Sequence, residues 1–192
     1  TIERPLIPVL RRMEKCGVLV DRDVFADLAK RYRADLETIE KRIHEAAGGE
    51  FNINSPKQLG YILFDKMELT VKGQKKTAGG QRSTKESELE KIRELHPIVD
   101  DILEYRELKK LLSTYIENIT PLLDKKHRLH GEFIQTGAAT GRMASIDPNL
   151  QNIPIKSDAG RAIRNAFIVD DGYCFAAFDY SQFELRIAAF LS

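Results

Sequence analysis

Leu6, Val9, Leu10 and Met13 fall three and four residues apart, which places them on one face of a helix over residues 5–15 that ends at Gly17. A short apolar run, Val18, Leu19 and Val20, follows. Phe25, Leu28, Tyr32, Leu36, Ile39, Ile43 and Ala46 then repeat the helical step, with Asp21 as N-cap and Gly48-Gly49 as stop. That pattern predicts one helix of about 25 residues, roughly 38 Å long. Ser55-Pro56-Lys57-Gln58 reads as a further helix start: Ser55 caps, Pro56 takes the first helical position and Gln58 closes a capping box. This helix is expected to run to about residue 66. Ser83 with Glu86 reads as another capping box, opening a helix to about residue 95. Beyond Pro97, the residues Ile102, Tyr105, Leu108, Leu112, Tyr115 and Ile119 form the buried stripe of a second long helix, closed by Pro121.

The pattern changes after Asp124. Residues 129–135 read as a strand, and residues 136–145 are rich in Gly, Ala, Thr and Ser. Tyr173 to Phe178 is a short apolar run suited to a buried strand, with Asp179 at its C-terminal end. Residues 183–191 return to helical spacing. That last helix has no C-cap and stops mid-pattern, and the chain begins without a preceding loop, so both ends are expected to be cuts in a longer protein.

Composition narrows the class. The 192 residues suit one or two domains, and 42% hydrophobic with 31% charged residues is ordinary for a soluble folded chain. Cys16 and Cys174 have no metal-binding spacing and read as reduced thiols, and no apolar run approaches a membrane span, so a cytoplasmic protein without a membrane partner is expected. The net charge of +1 is neutral on nucleic acid, so local distribution matters more. It is uneven. From residue 66 to 85, Lys66, Lys72, Lys75, Lys76, Arg82 and Lys85 stand against Glu68 alone, a balance of +5. Two long helices with this basic, glycine-containing tip between them suggest a projecting helical hairpin.

Two segments carry candidate chemistry. In Asp179-Tyr180-Ser181-Gln182-Phe183-Glu184-Leu185-Arg186, an aspartate just past a strand would be held rigidly yet face solvent, as a magnesium ligand must be. The alternative is that Asp179 caps the next helix and Glu184 favours its N-terminal dipole. The second segment is Ala139-Thr140-Gly141-Arg142-Met143-Ala144-Ser145, followed by Asp147-Pro148-Asn149-Leu150-Gln151-Asn152-Ile153-Pro154. Its small residues allow close backbone approach, and Arg142, Asn149, Gln151 and Asn152 could read the acceptors common to every base pair in a minor groove. The alternative is a polar loop whose side chains satisfy their own backbone.

Together these segments resemble the family A DNA polymerases, the group of bacterial DNA polymerase I. Residues 179–186 look like the family's DYSQIELR motif, residues 140–145 like its TGRLSS segment, and residues 149–154, with Pro148 before them, match its PNLQNIP run. ILEYRELKKLLSTY at residues 102–115 resembles the second helix of the family's thumb. Lys75-Lys76-Thr77-Ala78-Gly79-Gly80, with Ser83-Thr84, resembles the thumb tip. Five matches in order cover essentially the whole chain. Departures are Phe183 for the usual Ile, Met143-Ala144 for Leu-Ser, Lys156 for Arg and Ala138 for Thr; none removes a metal ligand.

The resemblance implies an α+β fold: a long-helix thumb hairpin followed by the first strands and one helix of an incomplete polymerase palm. It divides the chain into a palm-associated N-terminal helix (1–22), a thumb (23–124) and a partial palm (125–192). It implies DNA-templated addition of deoxynucleoside triphosphates to a primer, in replication or repair, by an enzyme that is monomeric when complete. Asp179 and the Tyr180 carbonyl would hold Mg²⁺ in a two-metal site, with Asp179 and Glu184 as the catalytic pair. Glu184 would be the gate against a ribose 2′-OH, and Ser181, Gln182 and Glu184 would face the nucleotide. Arg142, Asn149, Gln151 and Asn152 would meet the primer–template duplex, and Lys75, Lys76, Arg106, Lys109 and Lys110 its phosphates. The family's second metal-binding aspartate and its triphosphate-binding helix lie further downstream than the 13 residues that follow Asp179, so this piece alone is expected to be inactive. A single-subunit RNA polymerase relative, a non-catalytic duplex-binding module and a helical scaffold that ignores DNA are the rival readings. The exposed edge of a half-built palm predicts aggregation.

Overall fold

The computed structural model describes residues 3–77 and 79–192; Thr1 and Ile2 of the N-terminal segment and Ala78 of the basic tip lie outside the described residues. Helix α1 (Glu3–Cys16) stops at Gly17, whose φ of 62° turns the chain into strand β1 (Val18–Val20). A Cβ at Gly17 would also meet the Leu129 carbonyl oxygen at 2.7 Å, so glycine is required twice over. Helix α2 (Arg22–Ala47) begins as expected: the Asp21 carboxylate accepts from the backbone N–H groups of Asp23 (3.0 Å) and Val24 (3.1 Å). It ends at Gly48 in the left-handed conformation, φ 70°. The buried stripe matches the predicted one except at its end, where Ala47 rather than Ala46 faces inward.

The second long helix is continuous but changes pitch. α5 (Ile98–Lys110) passes through a π-helical stretch, Leu111–Ile116, into α6 (Glu117–Ile119) and a last tight turn, Thr120–Leu122. It packs antiparallel on α2, since Arg42 meets Asp101 at 2.5 Å while Arg33 meets Glu117 at 2.7 Å. Between the two lie α3 (Pro56–Gly60), continued by Tyr61–Lys66, and α4 (Glu86–Leu89), continued by Glu90–Leu95.

The expected capping boxes are only partly formed. Ser55 does accept from Gln58 N–H (3.4 Å), but the Gln58 side chain accepts from Asn52 N–H (2.7 Å) instead of closing the box. Ser83 is not an N-cap: the helix starts three residues later, at Glu86, and the buried Ser83 hydroxyl accepts from Lys85 N–H.

Two strand expectations are corrected. Residues 129–135 are not one strand, because His130-Gly131 breaks them into β2 (Arg128–Leu129) and β3 (Glu132–Ile134), which join different sheets. One sheet has the order β2-β1-β5, all antiparallel, with β5 at Phe167–Ile168; the other pairs β3 with β4 (Ala144–Ile146). Residues 173–178 form no strand and are exposed throughout, with Phe178 at 96%. An extended segment with no hydrogen-bonded neighbour gains nothing from a strand conformation, and among the described residues no hydrogen bond ties residues 174–178 to a neighbouring segment. Helix α8 (Phe183–Leu191) is present as predicted but buries no residue.

One core runs from the helices into the sheet, joining Leu63, Ile102 and Tyr115 to Val20, Leu129, Ile163 and Ala166. Helix α7 (Asp158–Asn165) closes it from below. Two buried phenols stitch these parts together. Tyr32 donates to the Ala159 carbonyl (2.8 Å) and Tyr115 to the Asn152 carbonyl (2.5 Å), and burial raises the pKa of both. Among the described residues no helix is long and apolar enough to cross a membrane.

Candidate nucleic-acid interface

The basic tip is a small closed loop. Lys76 bridges Arg82, Thr77 N–H donates to Gln81 O (2.7 Å), and Ser83 N–H donates to Lys75 O (2.9 Å). Lys72, Lys75 and Lys76 are exposed, and the backbone of Lys75 and Lys76 is held by these bonds. The charge count from sequence overstates what faces outward. Lys66 turns back and donates to the carbonyls of Ala47 (2.6 Å) and Gly48 (3.4 Å), neutralising the C-terminal end of α2. Arg82 lies over the Phe64 ring, 6.0 Å from its centroid.

On the long helix, Lys109 and Lys110 are exposed, but Arg106 is half-buried. Its guanidinium donates to the Thr84 carbonyl and, at 3.5 Å, to the Thr84 hydroxyl, and burial lowers its pKa. Arg106 thus ties the tip to the helix.

The polar loop beside the second sheet satisfies part of its own backbone with its side chains. Arg142 is exposed, on the turn between β3 and β4. The Asn149 carboxamide oxygen accepts from Gln151 N–H (3.0 Å), and Gln151 Nε2 donates to the Met143 carbonyl (3.0 Å). These bonds fold residues 149–152 back onto the turn that carries Arg142. Both residues are exposed, and among the described residues the Asn149 amide N–H₂ and the Gln151 amide oxygen, a donor and an acceptor, make no hydrogen bond. Asn152 is exposed but held through its carbonyl by Tyr115. Arg142, Asn149, Gln151 and Asn152 are therefore brought together.

Asp179, Tyr180, Ser181, Gln182 and Glu184 are not joined to that group. All are exposed, and among the described residues no hydrogen bond links residues 174–192 to the rest of the chain. Their order is local: Gln182 turns the chain with φ 53°, Arg186 donates to the Ser181 carbonyl (3.0 Å), and Glu184 occupies the first turn of α8. Among the described residues no three His, Cys, Asp or Glu side chains converge as a metal cage. A magnesium ion wants six oxygens in a near-octahedral shell. One free carboxylate and one carbonyl do not provide that, so these residues do not by themselves fit a two-metal site.

A cleft of about 1010 Å³ opens beside the first sheet, lined by Met13, Val18, Leu129, Phe133, Ile153 and Phe167, with Phe175 at its edge. Sequence reading missed it, and also missed a buried carboxylate, Glu88, under the basic tip. The only signal for Glu88 was its place next to Leu89 and four residues before Ile92, on the inward face of a helix.

The sequence pattern of DNA polymerase family A matches residues 22–192. DNA polymerase I of Deinococcus radiodurans is 50% identical over all 192 residues, which are 20% of its own length. The thermostable DNA polymerase I of Thermus thermophilus is 46% identical over the same span, 23% of its length. Among solved structures, "POL domain of Pol1 from M. smegmatis complex with DNA primer-template and dNTP" superposes with a TM-score of 0.87 at 37% identity, covering 97% of this chain and 33% of that one. The chain thus spans about a fifth of the length of the curated relatives it matches.

Proposed function

This chain belongs to DNA polymerase family A, and from that membership we propose that it is the duplex-gripping part of a DNA-directed DNA polymerase, comprising a thumb (residues 23–124) and the opening of a palm. The observation that supports this best is the paired arrangement of two exposed surfaces on one continuous core. The tip lysines Lys72, Lys75 and Lys76 form one, tied to the long helix through Arg106, and the Arg142, Asn149, Gln151, Asn152 cluster, tied to the same helix through Tyr115, forms the other. Ammonium groups on a fixed backbone suit phosphates, which give affinity without sequence. An amide donor beside an amide acceptor suits minor-groove base edges, whose acceptors are nearly the same for every pair. Lys109 and Lys110 extend the phosphate face along the long helix, with Arg106 also holding the tip in place. The proposed partners are a primer–template duplex and deoxynucleoside triphosphates, Ser181, Gln182 and Glu184 facing the latter.

Asp179 would contribute one carboxylate, and Tyr180 one carbonyl, to a magnesium site whose remaining ligands this chain does not supply. The rest of what this chain does is mechanical: it binds the duplex, orients its end and presents a free carboxylate near it. Glu184 is proposed as the gate that excludes a 2′-OH, which favours DNA over RNA synthesis among the rival readings.

The test is binding of a labelled primer–template duplex to the chain tethered sparsely on a surface, so that self-association does not enter. Affinity should fall linearly with log salt, and Lys75→Glu with Lys76→Glu should reduce the slope by roughly 2, about 1 per lysine. Absence of salt-dependent binding would leave the helical-scaffold reading in its place.

A further inference from the structure

The carboxylate beneath the basic tip is almost fully enclosed: Glu88 is 2% exposed. Its Oε2 accepts from the backbone N–H of Lys75 at 2.9 Å, and both oxygens accept from Lys91 Nζ at 2.9 Å. Lys91 donates in turn to the Gly73 carbonyl at 3.3 Å. One ion pair therefore holds the tip backbone on both sides of residue 74, through an N–H and through a C=O. From the other flank, Arg106 holds the Thr84 carbonyl, and Ser83 N–H bonds Lys75 O.

A buried carboxylate is a poor way to gain stability, because an apolar side chain of similar size does as well or better. Such a group is better explained by the conformation it selects. Gln74 points the same way. Both polar atoms of its side-chain amide are buried with no partner among the described residues, a state a loop does not adopt unaided. Hydrogen bonding to Lys91 lowers the Glu88 pKa, so the clamp is charged.

We infer that Glu88, paired with Lys91, is a positioning residue for the duplex grip: it fixes the backbone of residues 73–75 so that Lys72, Lys75 and Lys76 present their charges together to the phosphate backbone. The inference rests on the duplex-binding reading above. It has a signature that a purely electrostatic or purely structural role lacks. Glu88 is itself an anion beside a phosphate-binding surface, so neutralising it should tighten DNA binding if its charge alone mattered. Positioning demands the opposite sign.

The experiment compares the tethered chain with Glu88→Gln, which keeps size and one acceptor but loses the charge, and Glu88→Val, which loses both. Each variant is first checked for an unchanged helical signal. With primer–template duplex as the probe, affinity at fixed salt should fall roughly five- to thirty-fold from the parent to Glu88→Val, with Glu88→Gln between. The salt slope should shrink by about 1 to 2, and the Lys75 amide should lose hydrogen-exchange protection. Equal or tighter binding by Glu88→Gln overturns the inference while leaving duplex binding intact. If the parent chain itself shows no salt-dependent binding, the duplex-binding reading fails first, and the clamp falls with it. If Glu88→Val does not fold, Glu88→Gln alone decides.

Discussion

Residues 98–119 and residues 173–191 are both rich in large apolar side chains, and they end in opposite environments. In the first, Ile102, Leu111 and Ile119 are fully enclosed. In the second, Phe178 is 96% and Phe190 88% exposed, although the nearby cleft wall of Met13, Leu129 and Phe167 is equally apolar. The long helix has its complement on α2, running antiparallel along its whole length. Of the C-terminal segment only Phe175 lines that cleft, and none of residues 173–191 is buried. Apolar patterning announces that a face wants covering; it does not supply the cover.

Four experiments bear on that contrast. The largest expected effect is in the helix pair: Ile102→Ala should cost about 2–5 kcal/mol in urea denaturation, whereas Phe178→Ala should stay within about 0.5 kcal/mol. Comparable losses at the two positions would break the comparison. Next, replacing Phe178 and Phe190 with serine should lower self-association measured by light scattering and leave the melting temperature unchanged, since large exposed apolar patches drive association. Hydrogen exchange should separate the regions in the same order, with amides of residues 98–119 opening only with the whole fold and those of 183–191 by local fraying. A smaller effect is expected at the cap of α2, where Asp21→Ala should remove about 1 kcal/mol from the helix pair and nothing from α8.

The smallest effect is a pH dependence at the junction between α1 and the sheet. His130 bonds the Glu14 carbonyl through Nδ1 (2.8 Å) and the Asp124 carboxylate through Nε2 (3.1 Å). The Glu14 carbonyl first, then Asp124, raises the His130 pKa above 6.5. The Arg128 N–H, then His130, lowers Asp124 from 3.8 to about 2. A raised histidine contributes fully below its unfolded pKa and loses that contribution as pH rises through its folded one. A lowered aspartate contributes above its unfolded pKa and loses it as pH falls toward its folded one. The melting temperature should therefore decline on both sides of a plateau between roughly pH 4 and 6.5. His130→Ala should flatten the alkaline side; an unchanged alkaline decline would assign it to another group.

Elements whose signals are local and self-sufficient were readable from residues alone. Asp21, Gly48 and the stripe from Phe25 to Ile43 define α2 with no reference to anything distant. The misreadings depend on what lies across space. Residues 129–135 alternate like one strand, but β1 and β4 compete for its two halves. Residues 173–178 read as a buried strand, yet a strand exists only beside a neighbour. Ser83 has the spacing of a cap, but burial under the tip gives its hydroxyl another use. Lys66 and Arg106 are indistinguishable in sequence from Lys109, and only the carbonyls they reach set them apart. The Arg142, Asn149, Gln151 cluster was legible because its members are close in sequence. Glu88 was not, because an i,i+3 pair with the exposed Lys91 is an ordinary surface pattern, and the bond that sets it apart reaches 13 residues upstream to the Lys75 N–H.

The two phenol hydroxyls that reach Ala159 and Asn152 have a kinematic consequence. They tie one long helix to the start of α7 and the other to the polar loop, so a swing of the helix pair would carry residues 152 and 159 with it as one lever arm. Between Lys66 and Glu86, by contrast, the tip is held to the helices by the Glu88–Lys91 pair on one flank and Arg106 on the other.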